Sequence, residues 1–385
     1  MTLSIARWAR IMIPILTSLV LPACGPAETT TPQPTATVAQ HTPAASEATR
    51  EPGVFPLSEP GPYHVGILRG VAFDDASRGG REVGLTIWYP AVTSQDPAPE
   101  GPIPDATADP TGAPYPLIVS SSKVGFVFAP HLASHGFVVV GVNGLDYYIP
   151  WDQNLIDQPL DILFALDRVA SAPPEELAGV IEADNAGAMG YSFDGYNALA
   201  MSGARIDPSF YLAQCADAPS MDPVLDPFWI DYYCRMSSEW GQFSAHAGQT
   251  ITGSDDGLWQ PMTDERIRAV MPMAPEGAWL FGERGLAAVD RPTLVIAATE
   301  DRDCDYNREA VYLYEHMGTS DRAMISFVGR DHMMVFQPEM VARMAHFAVA
   351  FFGFHLQGRE DLGRYFSQDF VAQHDDLVWG AYAGE

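Results

Sequence analysis

Lysine is almost missing from this chain of 385 residues: Lys123 is the only one. Lysine and arginine together number 21 against 49 aspartates and glutamates, a formal net charge of -28. Nucleic acid and anionic membrane surfaces both select for Lys and Arg, so this balance argues against either as a direct partner. Cysteine is scarce too. The four present show no C-x-x-C and no Cys/His spacing suited to zinc, and no metal site is expected. No segment repeats internally, and the apolar run 11–21 is too short to span a bilayer comfortably.

That run fits a secretory signal. Arg7 and Arg10 precede it and Leu-Pro-Ala-Cys24 ends it. The ending resembles a bacterial lipobox, which implies a lipoprotein signal peptide over residues 1–23 and a lipid on Cys24; an ordinary signal peptide with a fortuitous cysteine is the alternative. Residues 24–52 are rich in Thr, Pro, Ala and Glu, with too few large apolar side chains to offset the entropy of ordering them. They read as a disordered tether. The expected location is extracytoplasmic, at the cell surface or in the periplasm, touching the membrane only through the lipid. Cys215, Cys234 and Cys304 then remain in an oxidising compartment. Cys215 and Cys234 close a short loop within one segment and are paired, a bridge of roughly 3 kcal/mol on the chain-entropy account. Cys304 is left as a free, buried thiol.

Residues 53–385 are enough for one large domain. "YHVGILRGVAF" and "EVGLTIWYPA" alternate like strands of a hairpin, with "DDASRGGR" as the turn. Beyond them, short apolar runs ("YPLIVSSS", "FVVVGVNG", "AGAMGYS", "IRAVMPMAP", "PTLVIAATE", "RAMISFVGRDH") alternate with helical segments such as "PLDILFALDRVAS" and "MVARMAHFAVAFFGFHL". This rhythm predicts an α/β fold with N-terminal antiparallel strands, a mostly parallel central sheet and helices on both faces. Residues 206–261 interrupt it with an aromatic, loop-like insertion placed like a lid.

In open α/β sheets, function collects at the carboxyl ends of the strands. Ser192 stands there in "MGYSFDG", then Glu300, Asp301 and Asp303, then His332. A serine hydroxyl is a poor nucleophile until an imidazole takes its proton and a carboxylate orients that imidazole. Each residue alone has blander uses, as a cap or a turn. The order Ser, acid, His across successive strand ends matches the hydrolase arrangement in which the serine sits on a G-x-S-x-G elbow.

The resemblance then becomes specific. "GPYHVGILRG…SRGGREVGLTIWYPA", "YPLIVSSS…HLASHGFVVV", "MGYSFDGYNALA", "RIRAVMPMAPEGAWLFGERGLAAVDRPTLVIAATEDRD" and "FVGRDHMMVF" resemble bacterial α/β-hydrolases of the dienelactone hydrolase-like and platelet-activating-factor acetylhydrolase-like kind. The similarity runs from about residue 61 to the final helix. It implies Ser192 as nucleophile, His332 as base and Asp301 as acid, with Asp303 the second choice. The implied activity is hydrolysis of a small-molecule or polymeric carboxylic ester through an acyl-enzyme, with no cofactor. The chain departs from such relatives twice. Asp194 replaces the glycine after the elbow serine's neighbour, and is expected to point outward along a helix's first turn. Ser122-Lys123-Val124 replaces the usual His-Gly of the oxyanion loop. Phe193 is expected to give one oxyanion N–H and Val124, or else Lys123, the other.

Further candidates are softer. Lys123 either attracts an anionic substrate group, stabilises the oxyanion, or faces solvent. Ser120-x-x-Lys123 also fits an S-x-x-K string, but in that chemistry the serine opens a helix. Tyr147, Tyr148, Trp151 and Trp279 sit at the sheet end where a substrate would rest, as pocket lining or as packing. The acidic run 300–305 invites a calcium reading, set below a catalytic role for one member. A non-catalytic hydrolase relative that binds a ligand at the surface is the rival reading, prompted by the two departures. The sequence says nothing of oligomeric state.

Overall fold

The computed structural model describes residues 55–145, 151–221 and 225–384. Cys24, the signal segment and the whole of the tether lie outside them, as do Tyr147 and Tyr148. The described residues form one compact unit. The predicted hairpin is β1 (His64–Asp75) and β2 (Arg81–Ala91), paired antiparallel. Its turn is set locally: Asp75 accepts hydrogen bonds from the Ser77 N–H and hydroxyl, and Gly79 and Gly80 take positive φ.

The other strands are β3 (Ile103–Pro104), β4 (Tyr115–Ser121), β5 (Val138–Val142), β6 (Ile181–Tyr191), β7 (Ile267–Met273), β8 (Thr293–Ala298), β9 (Arg322–Phe327) and β10 (Leu377–Trp379). They make one sheet of ten in the order β10-β9-β8-β7-β6-β4-β5-β2-β1-β3. The six from β5 to β9 in that order run parallel to one another. Every residue of β4, β5 and β8 is buried, as strands covered on both faces must be. The protein is therefore an α/β structure with a mostly parallel sheet, as the alternating runs predicted. The two-residue β3 and three-residue β10 carry too little pattern to be read in advance.

Successive residues feed opposite faces. Ile118, Val139 and Met189 pack under α1 (Ser122–Ser134) and the final long helix, whose Phe347, Phe351 and Phe352 are buried there. Leu117, Val119, Val138 and Ala188 pack against α2 (Asn154–Ser171) and α3 (Phe193–Met201) on the other face. Chain order then creates a crevice. From β4 the chain steps to β5 on one side, then crosses back to β6 on the other. The carboxyl ends of β4 and β6 flank that switch point, where open α/β sheets bind ligands.

The insertion corrects one expectation. It is helical, with α4 (Pro208–Asp217), α5 (Pro227–Cys234) and α6 (Trp240–Thr252). The missed signal was the Asp-Pro dipeptide. Asp207 accepts from the Ser209 and Phe210 N–H groups and Asp226 from Phe228, each with proline at the first helical position. Cys215 and Cys234, on α4 and α5, are disulfide-bonded, and Cys304 is free and buried. The remaining helices are α7 (Ala278–Leu286), α8 (Tyr312–His316), α9 (Pro338–Gln357) and α10 (Gln368–Val371). Among the described residues no helix is long and apolar enough to cross a membrane.

Candidate active site

β6 ends in a strained corner. Ser192 has φ 61° and ψ -124°, a conformation that non-glycine residues avoid, and α3 begins with the next residue. Its neighbours explain which positions must be glycine. A Cβ on Gly190 would meet the Asp194 carbonyl oxygen at 1.7 Å, and one on Gly195 would meet Pro275 Cα at 2.8 Å. Close approach to β7 thus falls on position 195, which frees position 194 to carry a side chain toward β4.

That side chain corrects a second expectation. Asp194 does not point outward: it is 1% exposed. Ser121 Oγ donates to its Oδ2 at 2.7 Å, Lys123 Nζ lies 3.3 Å from the same oxygen, and Asn197 Nδ2 donates to Oδ1 at 3.1 Å. The two departures from the hydrolase pattern are in contact. Ser120 lies within β4, buried and not opening a helix, so the S-x-x-K arrangement is not formed.

The three strand-end residues meet. His332 Nε2 is 3.0 Å from Ser192 Oγ, and His332 Nδ1 is 2.8 Å from Asp301 Oδ2. Asp301 is 5% exposed, and its other oxygen accepts from the Asp303 and Cys304 N–H groups at 3.0 and 2.9 Å. One carboxylate oxygen is therefore reserved for the imidazole. Asp303 supplies a backbone donor to Asp301, and burial raises its own carboxyl pKa. Tyr191 donates its hydroxyl to the His332 carbonyl at 2.7 Å, fixing the loop that carries the ring. Burial pulls the His332 pKa down, but the hydrogen bond and charge of Asp301 outweigh it, and the net shift is upward. A serine hydroxyl, an imidazole able to take its proton and a carboxylate able to stabilise the imidazolium thus form one continuous relay.

Phe193 opens α3, where a helix leaves its N–H without an intrahelical acceptor. Val124 is placed differently from the expectation. Its N–H reaches back to the capping Ser121 Oγ at 3.4 Å, and the residue is buried. Ser122 and Lys123 occupy the first two positions of α1, where a helix leaves N–H groups without intrahelical acceptors.

No protein-family model matches this chain, and no curated protein matches it.

The two described aromatic candidates, Trp151 and Trp279, resolve as packing. Trp151 is fully buried, and its ring meets Tyr233 edge-on at 4.9 Å. Trp279, 5% exposed, stacks on the same Tyr233 at 5.5 Å. Sequence reasoning missed Glu276, which stands just past β7 and so obeys the same strand-end rule. It is buried, and accepts from Trp151 Nε1 at 3.2 Å and from the Tyr232 hydroxyl at 3.1 Å. Burial pushes its pKa up to about 7 against the pull of those two donors. Cys304 Sγ lies 3.9 Å from Ser192 Oγ, and burial drives its thiol pKa well up, so it is a neutral neighbour. Among the described residues, no group of three His, Cys, Asp or Glu side chains is arranged to hold a metal ion.

Proposed function

We propose that this protein is a serine hydrolase of carboxylic esters on an α/β-hydrolase fold. In this reading it is anchored outside the cytoplasm by a lipid on Cys24, and the helical insertion serves as a lid. One observation carries the catalytic reading: the unbroken Ser192–His332–Asp301 hydrogen-bond relay, built on a strained corner at the sheet's switch point. His332 takes the Ser192 proton as the oxygen attacks the ester carbonyl. The Phe193 N–H and a donor from the first turn of α1 hold the oxyanion. His332 then protonates the leaving alcohol and activates the water that frees the acid. The substrate class is a small-molecule or polymeric ester, with lipid, aryl and polyester esters all compatible.

The non-catalytic reading rests on the two departures, the carboxylate beside the nucleophile and the missing His-Gly. Asp194 has built partners, which weakens the first. Labelling with a fluorophosphonate probe, together with p-nitrophenyl acetate turnover, tests the proposal. Ser192→Ala is expected to abolish labelling and cut kcat on the order of ~10⁶-fold, as in other triads. Labelling that survives in Ser192→Ala would overturn it.

A further inference from the structure

We propose that Lys123 and Asp194 act together as a positioning pair: Asp194 ties the first turn of α1 to the corner carrying Ser192, and Lys123 neutralises that tie beside the reacting atoms. The inference rests on the serine-hydrolase reading and deepens it. Both residues stand where the sequence leaves the hydrolase pattern, and each departure alone would harm the site. An aspartate at the elbow buries a negative charge where more negative charge must develop. A lysine in place of His-Gly adds bulk and charge to the loop that should supply an oxyanion donor.

Together they cancel. A buried carboxylate is tolerated only with a counter-charge and hydrogen bonds to its remaining lone pairs. Asp194 has Lys123 Nζ at 3.3 Å, the Ser121 hydroxyl at 2.7 Å and Asn197 Nδ2 at 3.1 Å. Asn197 Nδ2 also donates to Gln158 Oε1 at 3.0 Å, which continues the network into α2. Ser121 is the hinge of the arrangement. Its hydroxyl donates to Asp194 while accepting from the Val124 N–H, so the carboxylate on α3 sets the cap of α1 from 73 residues away. Ser122 and Lys123, whose N–H groups lead that helix, are thereby held against the Ser192 corner. Oxyanion donors must be placed to within about half an ångström, and two separate loops need a tie to achieve this. The only lysine of the chain stands here.

The test is a cycle of Lys123→Met, Asp194→Asn and the double variant, assayed on a neutral p-nitrophenyl ester over pH. Lys123→Met leaves the carboxylate uncompensated. We expect kcat to fall about 10²-fold, the scale of one lost oxyanion donor, with KM little changed. The acid limb of the pH profile should also move upward, because the extra negative charge favours the His332 imidazolium. The double variant is expected to recover to within about 5-fold of wild type with the limb restored. Losses that multiply in the double variant would overturn the proposal. So would a Lys123→Met effect confined to anionic esters, which would make Lys123 a substrate contact.

A readout independent of turnover covers poor folding and a wrong enzyme class. Lys123 carries the only lysine amine, so peptide mapping after treatment with an acetylating reagent reports on it alone. In Asp194→Asn its acetylation should become several-fold faster than in wild type. An unchanged rate would sink the pairing whether or not the protein hydrolyses esters. Wild-type protein that takes no fluorophosphonate on Ser192 would instead sink the hydrolase reading.

Discussion

Replacing Asp301 by asparagine is the sharpest test of the relay, because the structure separates the two jobs of its carboxylate. One oxygen accepts from the Asp303 and Cys304 N–H groups, and an asparagine carbonyl oxygen can keep both bonds. The other faces His332 Nδ1 at 2.8 Å, and there the substitution puts an N–H₂ donor. The imidazole must then present an unprotonated Nδ1 to that donor and carry its proton on Nε2, toward Ser192. In that tautomer it cannot take the serine proton. The fold should survive while kcat falls about 10⁴-fold, or roughly 5 kcal/mol at 1.36 kcal/mol per decade. Asp303→Asn should lose little, since Asp303 serves Asp301 through its backbone. The pH profile adds a second sign. The His332 pKa is raised in the native protein mainly because Asp301 opposes the effect of burial, so any residual Asp301→Asn activity should show its acid limb at lower pH. Initial rates on p-nitrophenyl acetate from pH 5 to 9 would settle both points. An Asp301→Asn enzyme retaining a tenth of wild-type kcat, beside a crippled Asp303→Asn, would refute the assignment.

Two further outcomes concern stability. His346 is fully buried, stacked on Phe370 at 5.1 Å, and accepts from the Leu57 N–H through Nδ1. Burial, with the charges of His374, His131 and His135, lowers its pKa to about 3, and burial takes His135 to about 4. Unfolded histidines bind protons near pH 6.5 and these folded ones do not, so stability is full above that value and is lost as pH falls toward 4 and 3. Melting temperatures from pH 7 to 4 should drop less steeply for His346→Phe; identical slopes would contradict the assignment. Glu276 runs the other way. With its pKa raised to about 7 against an ordinary 4.5, it costs nothing below the lower value and increasingly more stability as pH rises to the upper. Glu276→Gln should therefore match wild type near pH 4.5 and melt higher at pH 8, and a constant difference across that range would argue against it.

Part of this protein was legible from its residues in line. The alternating apolar runs gave the parallel sheet because a strand covered on both faces must be apolar throughout, a local property. The strand-end rule brought out Ser192, Asp301 and His332 because chain order along such a sheet restricts which ends face one crevice. The resemblance already favoured Asp301 over Asp303, and the tertiary structure gives the physical reason, since it is Asp301 whose carboxylate the backbone aims at His332. Tertiary structure alone turned Asp194 inward onto Lys123, assigned Trp151 and Trp279 to packing, and set Glu276 between Trp151 and Tyr232. Such pairings depend on which strands lie side by side, and strand order is set by burial and hydrogen bonding over the whole sheet. Short-range pattern says which way a side chain faces, and the assembled sheet decides what it meets.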